Sequence, residues 1–575
     1  SLQRDRGPAP GRALMDFTLD AYAARTCAVK TQHLFTPGLT PGPVDESLQD
    51  SFHGGIDHVA HVAELLVAAH DDIVDLREVP RGDAVAACAE AMDAGVMVIM
   101  GGELRPDPAG HRRGRVNVLV RADSADTDGA TPTYRPVLVK PRRVMEPRAS
   151  GRENVWEVPY SPLRALAYEP GRVAADRALR RHENDFIQVA HLYRLLETHG
   201  RAAPGARLAG VIGTDEVPGV DTPVVTWVDL DEPFLKTFSR SEPTGRKNRS
   251  PLERHDHEHA FRVQIAENAL AGGEPMVEPV RIRECDWCPW WRTCEPILGP
   301  NDLSARIDTA PLDVREIRTL RAMGIRTIDD LAGADLEALL PDYLPEVTHR
   351  SQADSRLRNA ARRSRMLRDG VELERTTAGP LLVDRADLEI DFDLETYDDR
   401  AYLWGFLVHD RRSGEPPYYK AFTSWTPLDD AAELALASEA LEWLRDISAT
   451  ARTRVYHYSS YETRHVGQLV GSGGTPHLDW VLPWVNEHFV DLYTTIKNNF
   501  FGCHGLGLKV VAQVGAGFRW RDAEPDGLKS LQWYEEAIGA HTEAERAAAQ
   551  RRLLEYNEDD VRATFHLRDW LDASA

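Results

Sequence analysis

The sequence predicts an α/β protein in which two α/β blocks flank an all-helical middle. Three observations carry this. In residues 16–300, short runs rich in β-branched residues alternate with segments of helical period. Residues 301–374 show helical period alone. Residues 375–575 open on two strand-like runs and close on one long helix. At 575 residues the chain is long enough for several cores.

The elements follow in order. Residues 1–15 read as a flexible leader without the apolar centre of a signal peptide. Phe52 to Ala69 has helical spacing. Gly95 to Leu104, Arg115 to Arg121 and Tyr134 to Lys140 read as short strands split by turn-rich segments. A long amphipathic helix is predicted over Ala174 to Thr198, because Leu179, Phe186, Val189, Leu192 and Leu195 recur near the 3.6 period. Strands near Arg207 to Ile212 and Val224 to Asp229 and a helix over Asp256 to Ala271 complete the first block. In the middle block a glycine turn separates two short helices in IRTLRAMGIRTIDDLA, and Arg350 to Arg368 carries seven arginines. The third block offers strands at Leu388 to Leu394, Tyr402 to Val408 and Arg454 to Tyr458, a helix near Ala431 to Arg445 and a last helix over Glu543 to Asp572.

Composition narrows the function. The 68 Lys+Arg against 91 Asp+Glu give a net charge of −23, which excludes a simple basic DNA-coating protein and argues against an anionic membrane surface. No apolar run approaches membrane-span length, and a cytoplasmic location is expected. Six cysteines in so long a chain are not a secreted disulfide scaffold. No G-x4-G-K-[ST] occurs, so no P-loop motor is expected.

The cysteines are clustered. CDWCPWWRTC sets Cys285, Cys288 and Cys294 as C-x2-C-x5-C, a spacing that turns thiolates toward one metal centre. Three ligands do not close a tetrahedral site, and Cys27 is the natural fourth. Cys88 and Cys503 remain as ordinary buried thiols. One early and three late cysteines resemble the iron–sulfur RecB-like nucleases, in which they flank a PD-(D/E)xK domain. The resemblance implies a [4Fe-4S] cluster on Cys27, Cys285, Cys288 and Cys294, with zinc as the alternative.

The motifs of that nuclease core are altered. It needs an Asp at one strand end and a (D/E)-x-K on the next, to hold Mg²⁺ beside a lysine. GRVNVLVR puts Asn117 at the Asp position, and PVLVK keeps Lys140 but has Leu138 where an acid belongs. A carboxamide is a poor ligand for a hard cation, and leucine is none. His58 matches the upstream histidine, while Gln188 and Tyr193 resemble the Q-x3-Y helix motif with one extra residue between them. The expectation is an inactive or DNA-binding nuclease domain. The rival is a site rebuilt on Glu103 or Asp123.

The third block carries a second acidic pattern. LEIDFDLETYDD places Asp393 and Glu395 two apart on a strand, hence on one face. In LLEYNEDDVRATF, Tyr556 and Asp560 are i and i+4 on a helix and share a face. Between them, Tyr461-Glu462 follows the strand of RVYHYSSYE. Together these resemble DEDD-type 3′–5′ exonucleases of the ribonuclease-H-like fold, in their YprB-like branch. The resemblance implies that Asp393, Glu395, Glu462 and Asp560 bind two Mg²⁺ or Mn²⁺ ions and that Tyr556 positions the attacking water. Asp491 and Lys509 sit in segments that recur in this branch.

The whole order, an iron–sulfur PD-(D/E)xK domain over 16–300, a helix-hairpin-helix-like connector over 301–374 and a ribonuclease-H-like domain over 375–575, resembles the bacterial RecB-like nuclease family. The resemblance implies a metal-dependent DNA exonuclease, 3′–5′ on single strands, serving DNA repair. A helicase partner is a further expectation, since some relatives are fused to one. A non-catalytic DNA-binding scaffold and an RNA-processing exonuclease stay open as alternatives. RHDHEH, Arg254 to His259, reads as a solvated first helical turn, with metal binding as its rival.

Overall fold

The structure is a computed structural model, and it describes residues 17–43, 46–122, 131–147, 157–471, 475–523 and 527–574. The leader over 1–15 and Asp123 lie outside the described residues. The chain divides into two compact units. The first comprises Ser1–Ala305, Asp313–Met323 and Leu336–Asp354; the second comprises Arg306–Leu312, Gly324–Asp335 and Ser355–Ala575. The helices of the middle segment are thus shared out between the units.

The first unit is built on a mixed eight-stranded sheet. In chain order its elements are α1 (Ala28–Phe35), α2 (Glu46–Ala69), β1 (Ile73–Asp75), α3 (Arg81–Asp93), β2 (Val98–Met100), β3 (Val118–Arg121), β4 (Tyr134–Val139), β5 (Val158–Pro162), β6 (Val173–Ala174), α4 (Glu183–Thr198), β7 (Leu208–Ile212), β8 (Val224–Asp229) and α5 (Pro251–Leu270). The strand order is β1-β2-β3-β4-β7-β8-β5-β6, with β1/β2 and β4/β7 parallel. Strand alternation feeds two cores. Leu119 and Leu138 pack with Val189, Leu192 and Leu195 of α4, while Val118, Val120, Val137 and Val139 pack with Val62 and Leu66 of α2.

The helix expected over Phe52 to Ala69 begins earlier, at Glu46, and two other helix starts differ for visible reasons. The helix predicted from Ala174 begins at Glu183, because Arg177–Leu179 pairs antiparallel with Met145–Pro147 and is drawn into strand. The ladder overrides a helical pattern that Leu179 had seemed to extend. The helix predicted from Asp256 begins at Pro251. Ser250 accepts from Glu253 N at 3.2 Å while Glu253 accepts from Ser250 N at 2.9 Å, a capping box with proline in the first turn.

The second unit carries β9 (Leu388–Tyr397), β10 (Arg400–Asp410), β11 (Tyr418–Thr423), α6 (Asp430–Ser448), β12 (Thr453–His457), α7 (Tyr461–Gly471), β13 (Phe489–Asp491), α8 (Leu508–Val514), α9 (Gly527–Gly539) and α10 (Glu543–Ala573). Its sheet runs β11-β10-β9-β12-β13. The first three strands are antiparallel neighbours, and β12 and β13 continue parallel to β9. Ile390, Phe392 and Leu394 on one face of β9 pack with Ala437, Leu441 and Leu444 of α6. The opposite face carries Glu389, Asp391, Asp393 and Glu395, and side chains of α10 bond three of them. Among the described residues no helix is long and apolar enough to cross a membrane.

Candidate functional site

Four carboxylates in a row on one strand face repel one another, and the second unit resolves this differently at the two ends of β9. At one end Arg568, fully buried on α10, donates to Glu389 and, at 2.8 Å, to Asp391. Arg385 adds two bonds to Glu389 at 2.8 and 3.0 Å. Asp391 is pushed up to about 6 by burial, against the pull of Arg568, whereas Arg385 and Arg568 hold Glu389 below the usual carboxylate range despite its burial. This end is a closed ion cluster.

At the other end the cation that acts on the acids is Lys509. Asp393, Glu395 and, from α10, Asp560 each place a carboxylate oxygen within 4.8 Å of the others. Burial, then the charges of Asp560, Glu395 and Glu462, raise Asp393 far above its ordinary value. Burial and Asp560 raise Glu395; burial raises Asp560 against the pull of Lys509. The acids are therefore held close at an electrostatic cost that Lys509 only partly offsets.

Neutral donors fix their orientation. Asn557 Nδ2 donates to Asp393 Oδ2 at 2.7 Å, and Asn557 Oδ1 accepts from the Tyr419 hydroxyl at 2.7 Å. Trp520 Nε1 donates to Asp560 Oδ1 at 2.6 Å, and the Ser530 hydroxyl bonds Glu395. Room for Asn557 comes from Gly405, the residue paired with Asp393 across β9 and β10. Lys509 Nζ donates to the Tyr556 hydroxyl and lies 4.6 Å from its ring centre. Glu462, buried in the first turn of α7, has its Oε2 without a hydrogen-bond partner and 3.5 Å from His457 Nδ1.

The structure thus brings Asp393, Glu395 and Asp560 together, with Glu462 near enough to act on Asp393 and Tyr556 beside Lys509. Asp491 does something else. It accepts from Ser459 N at 3.0 Å, Tyr493 N at 2.9 Å and Thr494 Oγ1 at 3.1 Å, which caps a helix and pins Ser459 at a φ of +91° just before Glu462. Sequence reasoning missed Gly405, Asn557, Trp520 and Ser530. Only Asn557 carried a signal, being the neighbour of Tyr556 on the inward face of the helix. An all-oxygen set of crowded acids, one with an unpartnered buried oxygen, fits hard divalent cations such as Mg²⁺ or Mn²⁺.

Residues 390–572 match the family model of the RNase H superfamily. The second unit carries an RNase H-like domain. No curated protein and no solved structure compared with the chain matches it. The match begins on the acidic strand of the RNase H-like domain and ends on α10, so it spans every carboxylate of the cluster.

In the first unit, Cys27, Cys285, Cys288 and Cys294 line one small cavity with Lys30, Trp290 and Trp291. Burial raises all four thiols, Cys294 to about 12, and each is raised further by one or more of the others. A zinc tetrahedron with Zn–S near 2.3 Å needs sulfurs about 3.8 Å apart. The four sulfurs are not among the donor groups gathered within 4.8 Å in the described residues. These four thiols are the residues that would hold a metal group in this unit.

The nuclease-like motifs of the first unit also meet in part. Asn117 Oδ1 accepts from Val139 N at 3.0 Å, so its carboxamide is spent on the backbone. Leu138 lies fully in the core. Lys140 Nζ donates to Gln188 at 2.9 Å and pairs with Asp185 at 3.3 Å, and burial lowers its proton affinity. Asp185, which sequence reasoning passed over, also pairs with Arg142 and lies 3.7 Å from Arg25. His58 lies beside the backbone of Gly213, next to the Ile212 carbonyl that accepts from Lys140 N. Tyr193 stands apart, its hydroxyl donating to Ala203 O at 3.3 Å. The extra residue after Gln188 turns it about 100° further round the helix than a Q-x3-Y tyrosine.

Proposed function

We propose that the protein is a metal-dependent exonuclease acting 3′–5′ on single-stranded DNA, with catalysis in the RNase H-like domain. The observation that carries the reading is the contrast along β9. Two of its four acids have arginines as permanent counter-ions, and the other two, joined by Asp560, have only the partial offset of Lys509 among the described residues. Such a cluster relieves its repulsion by taking up protons or exchangeable cations, and only the cations would serve hydrolysis. When bound, two Mg²⁺ or Mn²⁺ ions would supply an activated water and a sink for the charge of the leaving 3′ oxygen. Asp393, Glu395 and Asp560 hold the charge, and Glu462 offers an outer oxygen. Tyr556, held by Lys509 and bonded to Asp560, would position the attacking water. Asn557 and Trp520 keep Asp393 and Asp560 in place.

The first unit serves as a non-cleaving nucleic-acid-binding domain in this reading. Asn117 and Leu138 support it, the one turned to the backbone and the other sealed in the core, while Lys140 is neutralised by Asp185. A [4Fe-4S] cluster on the four cysteines would tie α1 to the segment around Cys285, and it takes no part in hydrolysis.

The test uses the full chain on single strands of DNA and of RNA, labelled at either end, with Mn²⁺. Release of mononucleotides from the 3′ end of DNA, lost in Asp393→Asn, supports the proposal. Preference for RNA moves the substrate assignment, and no cleavage of either polymer leaves a binding scaffold. A visible chromophore with one cluster's worth of iron and sulfide tests the cysteine group separately.

A further inference from the structure

His191 on α4 and His255 and His259 on α5 meet inside the first unit, all of them buried. The RHDHEH run was expected on a solvated first turn. Because α5 starts at Pro251, His255 and His259 instead lie one turn apart on its inward face, and His257 is the exposed histidine of the run.

The hydrogen bonds fix the tautomers. His191 Nε2 lies 3.0 Å from the Arg113 carbonyl, and His259 Nε2 lies 2.8 Å from the Gly110 carbonyl. His255 Nδ1 lies 2.9 Å from the Asp256 carboxylate. Each of these acceptors has no proton to give, so each of these outer nitrogens carries the N–H. The inner nitrogens are then bare lone pairs that face one another. His191 Nδ1 is 3.1 Å from His255 Nε2, and His259 Nδ1 is buried with no hydrogen-bond partner. All three inner donors lie within 4.8 Å of one another. A shared proton can join only one pair and strands the third nitrogen.

A divalent ion satisfies all three at once. With Zn–N near 2.0–2.1 Å, tetrahedral zinc spaces its nitrogens by about 3.3 Å, close to the 3.1 Å between His191 Nδ1 and His255 Nε2. Outer N–H groups held by backbone carbonyls and a carboxylate are the partners that fix metal-bound imidazoles. Asp256, itself paired with Arg194 through both oxygens, stands directly behind His255 and orients it. We propose that His191, His255 and His259 bind one zinc-class ion, with water in the fourth position, as a staple between α4 and α5. The carbonyls of Gly110 and Arg113, which flank the turn and strand of the Glu103–Asp107/Arg112–Arg115 hairpin, hold that hairpin to the same centre. Imidazole donors suit zinc, cobalt and nickel, and the site is distinct from both the acidic cluster and the cysteines.

Cobalt titration of the chelator-stripped full chain tests this. Expected is uptake that gives the d–d bands of imidazole-bound tetrahedral Co²⁺ without a thiolate charge-transfer band. Zinc then displaces it and raises the melting temperature. Removing one ligand, as in His255→Gln or His259→Gln, weakens this uptake by more than about 100-fold, beyond the roughly 10- to 100-fold expected of Asp256→Asn. His257→Gln leaves it unchanged. The wild-type spectrum needs no variant to fold. The proposal is overturned if all bound cobalt shows thiolate charge transfer, if no cobalt binds, or if folded His255→Gln and His259→Gln chains take it up as the wild type does.

Discussion

Gly405→Ala probes how the acidic cluster is aimed. Gly405 lies opposite Asp393 in the sheet, and an added Cβ there would overlap Asn557 Oδ1 outright and stand 2.7 Å from its Cγ. The overlap with Oδ1, rather than the Cγ contact, sets the demand, so Asn557 must retreat by about 1.5 Å or more. It has no slack, being fully buried and bonded at 2.7 Å to both Asp393 and Tyr419. The backbone at 405 is ordinary strand, so strain in φ plays no part. Overpacking of this kind costs about 1–3 kcal/mol. A displacement near 1 Å at a reacting centre costs about 100-fold in rate. Asn557→Ala separates the two effects. In the double variant the new methyl has space, so stability recovers relative to Gly405→Ala and the urea-unfolding cycle is non-additive by about 1–2 kcal/mol. Activity on labelled single-stranded DNA stays low, because Asp393 has lost its donor. A Gly405→Ala chain with wild-type stability and rate, or an additive cycle, refutes this account.

Arg568→Met leaves Glu389 with Arg385 but strips Asp391 of its bonded arginine, and should cost about 3–5 kcal/mol in urea unfolding, much of it regained by adding Asp391→Asn. Asp393, Glu395 and Asp560 bind protons more tightly in the folded chain than unfolded, so metal-free stability should fall as pH rises from the ordinary carboxylate range toward neutrality. Each tenfold difference in proton affinity is worth about 1.4 kcal/mol, and melting curves across pH should flatten on adding Mn²⁺ or in Glu395→Gln. Glu395→Gln should also abolish hydrolysis while stabilising the metal-free protein. Lys140→Ala should leave Mn²⁺-dependent exonuclease rates unchanged, and a loss of activity there would relocate catalysis to the first unit.

The acidic cluster was legible because its residues repeat at the periods of their elements, two on the strand for Asp393 and Glu395 and four on the helix for Tyr556 and Asp560. What orients them was not. Gly405 and Trp520 act through pairings between distant segments, and nothing local distinguishes that glycine from those of turns. The fate of Asn117 was half legible: its residue type ruled out a good ligand, but its bond to Val139 N required the β3–β4 register. The histidine triad was hidden for two reasons. His191 comes from another helix, and a helix start placed five residues late put His255 on the outside. Tyr193 shows the converse, since a motif read with one residue too many keeps its residue types and loses its face.

The long C-terminal helix and β9 can be regarded as two rulers laid against each other. Arg568 marks Asp391 at one graduation, while Asn557 and Asp560 mark Asp393 and its neighbours at another. One helical turn is about 5.4 Å and two strand residues about 6.6 Å, so a slip of one turn would carry Arg568 from Asp391 toward Asp393. Such a slip would bury Asp391 without a counter-ion and, on the proposed reading, put a permanent cation where an exchangeable one would bind. The arginine therefore penalises misdocking of the helix twice, in stability and, on that reading, in metal uptake.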